Sequence, residues 1–254
     1  MRYELLGNLR VVDGPQISSI GAQKIEILFA TLLANADHVV SCNQLMNEIW
    51  GEQPPRRALA GLHVYVSELR KFLHRPDRAQ SPIITHAPGY VLRLDGDELD
   101  SESFLTLAGV GRQLVREQRY EEARELLEEA LSLWRGPALG DLGQGPVLSN
   151  FATRLTETRL ECLEMLADVQ LERGRHRELV GMLYTLTTEN PLRETFHRQL
   201  MLALYRSERR ADALKAYQSA RRVLIEELGL EPCAPMRDLH EAILRSEVLE
   251  PVGV

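Results

Sequence analysis

Apolar positions along this chain change their period near residue 99. Before that point short strand-like runs flank helical stripes, and after it only the helical period remains. Tyr3–Leu6 and Leu9–Val12 are separated by Gly7-Asn8 and predict a hairpin, to which Gln16–Ile20 adds a third strand after the Asp13-Gly14-Pro15 turn. Ala22–Ala34 predicts a helix with Ile25, Leu28, Phe29, Leu32 and Leu33 on one stripe. Ser41 is a good N-cap for a second helix, Cys42–Trp50, whose Leu45, Met46, Ile49 and Trp50 face inward before Gly51 ends it. Pro54–Leu73 predicts a third, with a start signal at Pro54-Pro55. Its Leu62, Val66, Leu69 and Leu73 share one face, with Leu59 at the margin. After a polar loop, Ile83–Thr85 and Tyr90–Leu94 flank the Pro88-Gly89 turn, with Tyr90, Leu92 and Leu94 facing the core and Val91 and Arg93 facing out. Three helices followed by a hairpin read as a winged helix-turn-helix.

Gly96–Ser103 reads as a polar joint, and a repeat follows it. Leu107, Val110, Gly111 and Leu114, then Ala123, Leu127 and Ala130, have tetratricopeptide spacing. Leu163, Leu166, Ala167 and Gln170, then Leu179, Leu183, Leu186 and Pro191, repeat it, and Leu200, Met201 and Leu204, then Ala213, Tyr217 and Ala220, repeat it again. The turn words RYEEA, RHREL and RRADA sit at matching places. The last two units are 34 residues apart and the first two 56, so extra length begins at Arg135: a Gly/Pro loop, then an added helix over Leu148–Leu160. A last helix beginning near Pro235 and including Asp238–Leu244 closes the stack. The expected fold is therefore mainly α, a winged helix-turn-helix with small β-sheets over 1–97 and an all-α, tetratricopeptide-like helical-repeat domain over 98–254.

The outward face of the third helix carries Arg57, Gly61, Val64, Glu68 and Lys71, with Ala60 and Ser67 on one shoulder and Tyr65 on the other. A face of basic, small and short-branched residues can enter a DNA major groove, where Arg and Lys take phosphates or guanine edges and Val or Ala meets a thymine methyl. An ordinary amphipathic helix has the same stripe, and charge tips the balance. The chain is net −7, but residues 56–93, which include Arg56, hold 7 Lys+Arg against 2 Asp+Glu, while 100–254 are net −6. Screening over roughly 10 Å lets the basic segment act locally. Arg93, Thr85 and His86 on the hairpin are placed to reach DNA beside the helix. Lys24 and Ser41, near helix N-termini, fit either phosphate contact or capping. Trp50 fits either the core or an indole N–H donated to a phosphate.

Here the wording of the chain resembles the Streptomyces antibiotic regulatory protein (SARP) family. LLGNLRV, VVSCNQLMNEIWGEQPP, LHVYVSELRKFL and ITHAPGYVLRL match its OmpR/PhoB-type DNA-binding domain. EEALSLWRGPALGDL, ENPLRE, LMLALYRSERRADALKAYQSARRVLIEELGLEP and LHEAIL match its bacterial transcriptional activation domain. The resemblance implies a recognition helix at Pro55–Leu73, with DNA-contact positions at Arg57, Ala60, Gly61, Val64, Tyr65, Ser67, Glu68 and Lys71. It implies an activator of a secondary-metabolite cluster that binds promoter direct repeats as side-by-side protomers and recruits RNA polymerase holoenzyme. It also implies a small member of the family, with no ATPase module following and no receiver domain preceding.

Other chemistries find little support. Gly140, Gly143 and Gly145 lack the spacing of a dinucleotide loop and read as a linker. Seven scattered histidines, mostly surface residues on this reading, make no metal-ligand pattern, and no nucleophile context or acid–base pair stands out among the carboxylates. No cofactor and no enzyme are expected. Cys42, Cys162 and Cys233 read as reduced, buried residues of a cytoplasmic protein, with no secretory or membrane segment. Trp134 reads as a packing residue. A tetratricopeptide-type peptide-binding scaffold and a ligand-responsive regulator are the alternatives.

Overall fold

The structure, a computed structural model, describes residues 1–76, 80–142 and 144–246. It packs as two compact units, residues 1–108 with 129–160, and residues 109–128 with those from 161 onward.

In the first unit, β1 (Arg2–Glu4), β2 (Arg10–Asp13), β3 (Gln16–Ser18) and β7 (Glu98–Leu99) form a sheet in the order β3-β2-β1-β7. β1 runs antiparallel to β2, opposing Tyr3 to Val11, and parallel to β7, opposing Tyr3 to Leu99. Tyr3 is buried edge-on against Phe29 of α1 (Gln23–Ala34), with ring centroids 5.6 Å apart. The expected stripe of α1 is buried throughout. α2 (Cys42–Trp50) starts at the predicted cap. Ser41 Oγ accepts from the Gln44 amide at 3.2 Å and the Gln44 side chain accepts from the Ser41 amide at 3.1 Å, a reciprocal capping box.

α3 begins later than its prolines suggest, at Ala58, and ends at Phe72. Pro55 disfavours helical geometry for Pro54 before it. A turn follows instead, with the Ala58 amide donating to the Pro55 carbonyl at 2.9 Å, and Arg57 as the non-helical cap residue. β4 (Val40–Ser41), β5 (Ile83–His86) and β6 (Gly89–Leu92) make the second sheet, order β4-β6-β5. Because β6 is its central strand, Val91 is buried along with Tyr90 and Leu92, and the outward placement expected for Val91 is corrected.

Two segments that read as connections are packed. In place of a polar joint, β7 is followed directly by α4 (Asp100–Arg116), whose Asp100 and Ser101 are buried. The Asp100 carboxylate accepts from the amides of Leu5 (2.7 Å) and Leu6 (3.0 Å), which ends β1 at Glu4. The predicted Gly/Pro linker after α5 (Tyr120–Ser132) lies against the N-terminal strands and α2. Arg135 and Leu139 donate backbone N–H bonds to Leu6 and Leu5, both at 2.8 Å, and Arg135 reaches Glu4 at 3.2 Å. A Cβ at Gly140 would lie 2.1 Å from Asn8 Oδ1, and one at Gly145 would lie 2.2 Å from Glu48 Oε1. The third glycine of that predicted linker, Gly143, lies outside the described residues, as do 77–79 of the polar loop. The expected added helix and the first helix of the second repeat are one helix, α6 (Pro146–Glu172), since no breaker separates Leu160 from Leu163. Trp134 packs as expected, edge-on to Phe104 at 5.3 Å with the Arg159 guanidinium 4.8 Å from its ring centroid.

The second unit holds the later repeats, with α7 (His176–Glu189), α8 (Glu194–Arg206), α9 (Arg210–Leu228) and α10 (Ala234–Arg245). Leu114, Ala123 and Val169 form one of its cores. Gly111 lies where a Cβ would be 2.8 Å from Leu127, so glycine permits that approach. The three turn words open on equivalent geometry. Gln118, Gly174 and Glu208 all have left-handed φ, at 58°, 74° and 64°. The residue after each donates its amide five residues back, Arg119 to Leu114, Arg175 to Gln170 and Arg209 to Leu204. Cys162 is buried, and burial pushes its thiol up to about 11, whereas Cys42 is half-buried. Cys233 is exposed, contrary to expectation, because it occupies the cap position of α10. His197 departs from the surface reading: it is buried with Nε2 2.9 Å from the Pro191 carbonyl. Among the described residues there is no metal-binding cluster and no helix long and apolar enough to cross a membrane.

Candidate nucleic-acid interface

The apolar stripe of α3 sets what the helix shows to solvent. Leu62, Val66 and Leu69 are buried, which turns Ala60, Val64, Ser67, Glu68 and Lys71 outward, all exposed, beyond exposed Arg56 and Arg57 at the start. Val64 is 53% exposed, a large fraction for an apolar side chain in a folded helix and suited to apolar contact with a base edge. Leu59 is 47% exposed, so the margin of the stripe lies in solvent.

Gly61 and Tyr65 are half-buried because Trp50 covers them. The Trp50 and Tyr65 rings stack at 5.8 Å with an interplanar angle of 23°. A Cβ on Gly61 would lie 3.4 Å from the same indole, at ordinary van der Waals contact, so the ring rests directly over this position. The Lys24 ammonium lies 5.5 Å from the Trp50 ring centroid, a cation–π contact that leaves its charge at the edge of this face. Trp50 is thus half-buried and joined to α3, at the border between core and solvent.

The hairpin of β5 and β6 is fastened to α3 by a residue that the sequence did not single out, Arg70. Its Nε donates to the Ile83 carbonyl at 3.0 Å and its Nη2 to Thr85 Oγ1 at 2.9 Å, while the guanidinium lies 5.9 Å from the Tyr90 ring centroid. Burial pushes the Tyr90 phenol up from its ordinary value. Thr85 is therefore held beside the last turn of α3, and His86 is exposed at the tip with Nδ1 3.0 Å from the Ala87 carbonyl. Gly89 permits the turn to close on β4, since a Cβ there would lie 1.9 Å from the Val40 carbonyl oxygen. Arg93 stands apart from this group. It is exposed at the far end of the hairpin, Nη1 3.5 Å from Asp37 Oδ1. Ser41 is engaged in its capping box at the start of α2.

The arrangement can therefore offer a duplex a protruding helix face, an adjoining hairpin and cations at Lys24, Arg56, Arg57 and Lys71. Residues 20–92, from α1 to β6, match the family described as "Transcriptional regulatory protein, C terminal", and residues 99–244 match the "Bacterial transcriptional activator domain". The chain belongs to the SARP family of transcriptional regulators. This SARP chain is 37% identical over 250 residues to the transcriptional regulator RedD of Streptomyces coelicolor, covering 97% of the chain and 71% of RedD. It is 36% identical over 247 residues to the regulatory protein AfsR of Streptomyces griseus, covering 97% of the chain and 25% of AfsR. The structure of Mycobacterium tuberculosis EmbR in complex with a low-affinity phosphopeptide aligns with a TM-score of 0.91 at 32% identity, over 98% of this SARP chain and 66% of EmbR. The SARP chain thus spans a quarter of AfsR and about two thirds of EmbR. Except for Arg93, every candidate DNA-contact residue falls within the 20–92 match.

Proposed function

We propose that this protein is a sequence-specific DNA-binding transcription activator, with residues 1–97 reading promoter DNA and residues 98–254 engaging RNA polymerase holoenzyme. The observation that carries the reading is the outward face of α3, where Arg57, Ala60, Val64, Ser67, Glu68 and Lys71 are solvent-exposed beside a hairpin fastened by Arg70. Arg56, Arg57, Lys71 and Arg93 contact phosphates, with Lys24, Ser41 and the Trp50 indole at the edge and Thr85 and His86 on the hairpin. Ala60, Gly61, Val64, Tyr65, Ser67 and Glu68 meet the bases, Val64 toward a thymine methyl and Glu68 toward cytosine N4. Two protomers sit side by side on direct repeats, and the net −6 of residues 100–254 suits docking to basic surfaces of the polymerase. The genes controlled are those of a secondary-metabolite, antibiotic-type cluster, and the protein associates with the nucleoid when bound.

Footprinting on promoters of the neighbouring biosynthetic genes tests the reading, with protection of two direct repeats as the expected result. Arg57→Ala is expected to weaken binding and lower the slope of log K against log salt by about one unit. An unchanged slope in a gel-shift salt titration removes Arg57 from the phosphate contacts, and protection of no promoter removes the activator reading.

A further inference from the structure

Glu48 is a carboxylate in the helix before the recognition helix, and it is only 6% exposed. Its oxygens accept from the amides of Val147 and Leu148, each at 3.0 Å. These belong to the first turn of α6, where N–H groups lack helical partners and the helix dipole favours negative charge. Gly145, just before that turn, leaves space for the carboxylate. Two residues beyond Glu48, Trp50 stacks on Tyr65 and lies against Gly61. α2 is therefore held by α6 on one side, and on the other it carries the ring that covers two positions of the outward face of α3.

We propose that Glu48 is a positioning residue for DNA recognition. By fixing α2 on the first turn of α6 it fixes the indole of Trp50, and through it the direction of Tyr65 and the clearance above Gly61. This rests on the DNA-binding reading above and goes beyond it, because Glu48 is buried and offers duplex DNA nothing to touch. Its effect passes through the set of Trp50, so it bears on sequence preference and not on general attraction to phosphate. By linkage, occupation of the α3 face is felt in return at the amides of Val147 and Leu148.

The full chain first selects a duplex from a random-sequence pool. That duplex and an unselected one of equal length are then titrated by fluorescence anisotropy against the wild type, Glu48→Gln and Leu183→Ala, at a temperature where circular dichroism shows each protein folded. Leu183 is buried in α7 and controls for plain destabilisation. Glu48→Gln is expected to weaken the selected complex by about tenfold, within the usual range of coupling between sites, with the unselected complex unchanged. Leu183→Ala is expected to bind both as the wild type does. In a Trp134→Phe background, which leaves Trp50 as the lone indole, Glu48→Gln is also expected to shift the emission of the DNA-free protein. Glu48→Asp, too short to reach both amides, is read in the same way if Glu48→Gln does not fold. Wild-type affinity for the selected duplex, an equal loss on both duplexes, or unchanged Trp50 emission overturns the positioning role. A wild-type chain that binds neither duplex overturns the DNA-binding reading instead.

Discussion

Alanine at Gly145 is a small change with a large expected effect. Its Cβ would lie 2.2 Å from Glu48 Oε1 and 2.3 Å from Cδ, so the carboxylate has to move. It can do so only by leaving the Val147 and Leu148 amides that it now accepts from at 3.0 Å. A hydrogen bond to a charged group contributes about 1.5–3 kcal/mol, so losing both removes roughly 3–6 kcal/mol. Restricting the unfolded chain returns about 0.4–1 kcal/mol, since Gly145 does not have a left-handed φ. The net expectation is a destabilisation of roughly 2–5 kcal/mol, a large share of the stability of an ordinary domain. Trp50 and Trp134 both lie in the unit formed by 1–108 and 129–160, so their fluorescence follows that unit during urea unfolding. The decisive form is a double-mutant cycle. In a Glu48→Ala background the new Cβ has nothing to displace, and Gly145→Ala should be neutral or slightly stabilising, giving a coupling above about 1 kcal/mol. A neutral Gly145→Ala in the wild-type background, or strict additivity with Glu48→Ala, would refute the reasoning.

Two further perturbations address the hairpin and the first strand. Arg70→Ala removes the bonds to Ile83 and Thr85, so promoter binding in gel shifts should weaken several-fold. Arg70→Lys should not restore it, because a point charge cannot replace a fork; wild-type affinity in either variant counts against the fastening role. Burial pushes the Glu4 carboxyl up, but the hydrogen bond from Arg10 and the charges of Arg135, Arg10 and Arg2 outweigh it and hold the group below its ordinary 4.5. A depressed carboxylate stabilises the fold above its unfolded value and ceases to as pH falls through its folded value. The stability advantage of wild type over Glu4→Gln in urea titrations should therefore be constant near neutrality and shrink as pH drops below about 4.5. An advantage that grows in acid would reverse the assignment.

Much of the fold follows from local residue patterns, and the departures have a common origin. Ser41 with Gln44 is a local pair, and the cap appeared where the sequence placed it. The stripes of α1 and α3 needed only helical spacing, and the repeat turns kept their offsets because Gln118, Gly174 and Glu208 occupy one equivalent place. Glu48, by contrast, meets its partners 99 and 100 residues away, and Asp100 meets Leu5 and Leu6 95 and 94 residues away. No local pattern distinguishes such carboxylates from solvated ones. Val91 looked outward-facing because the two-residue β4, which makes β6 a central strand, is too short to register as a strand in sequence. On the candidate interface, the outward residues of α3 followed from the stripe, whereas Arg70 was hidden by being charged within a basic run. Its half-buried place shows only when the hairpin is laid beside the helix.

The short parallel pairing of β7 with β1 bears on where this protein can be cut. A fragment ending at residue 97, where the sequence invites a boundary, would strip the sheet of a border strand and leave the amides of Leu5 and Leu6 without the carboxylate of Asp100. It would also discard Arg135 and Leu139, whose backbone covers the same two residues. The end of the polypeptide proposed to read DNA is completed by residues that follow it in the chain, and a reporter fusion or minimal binder trimmed at that point would begin with an open wound in its core.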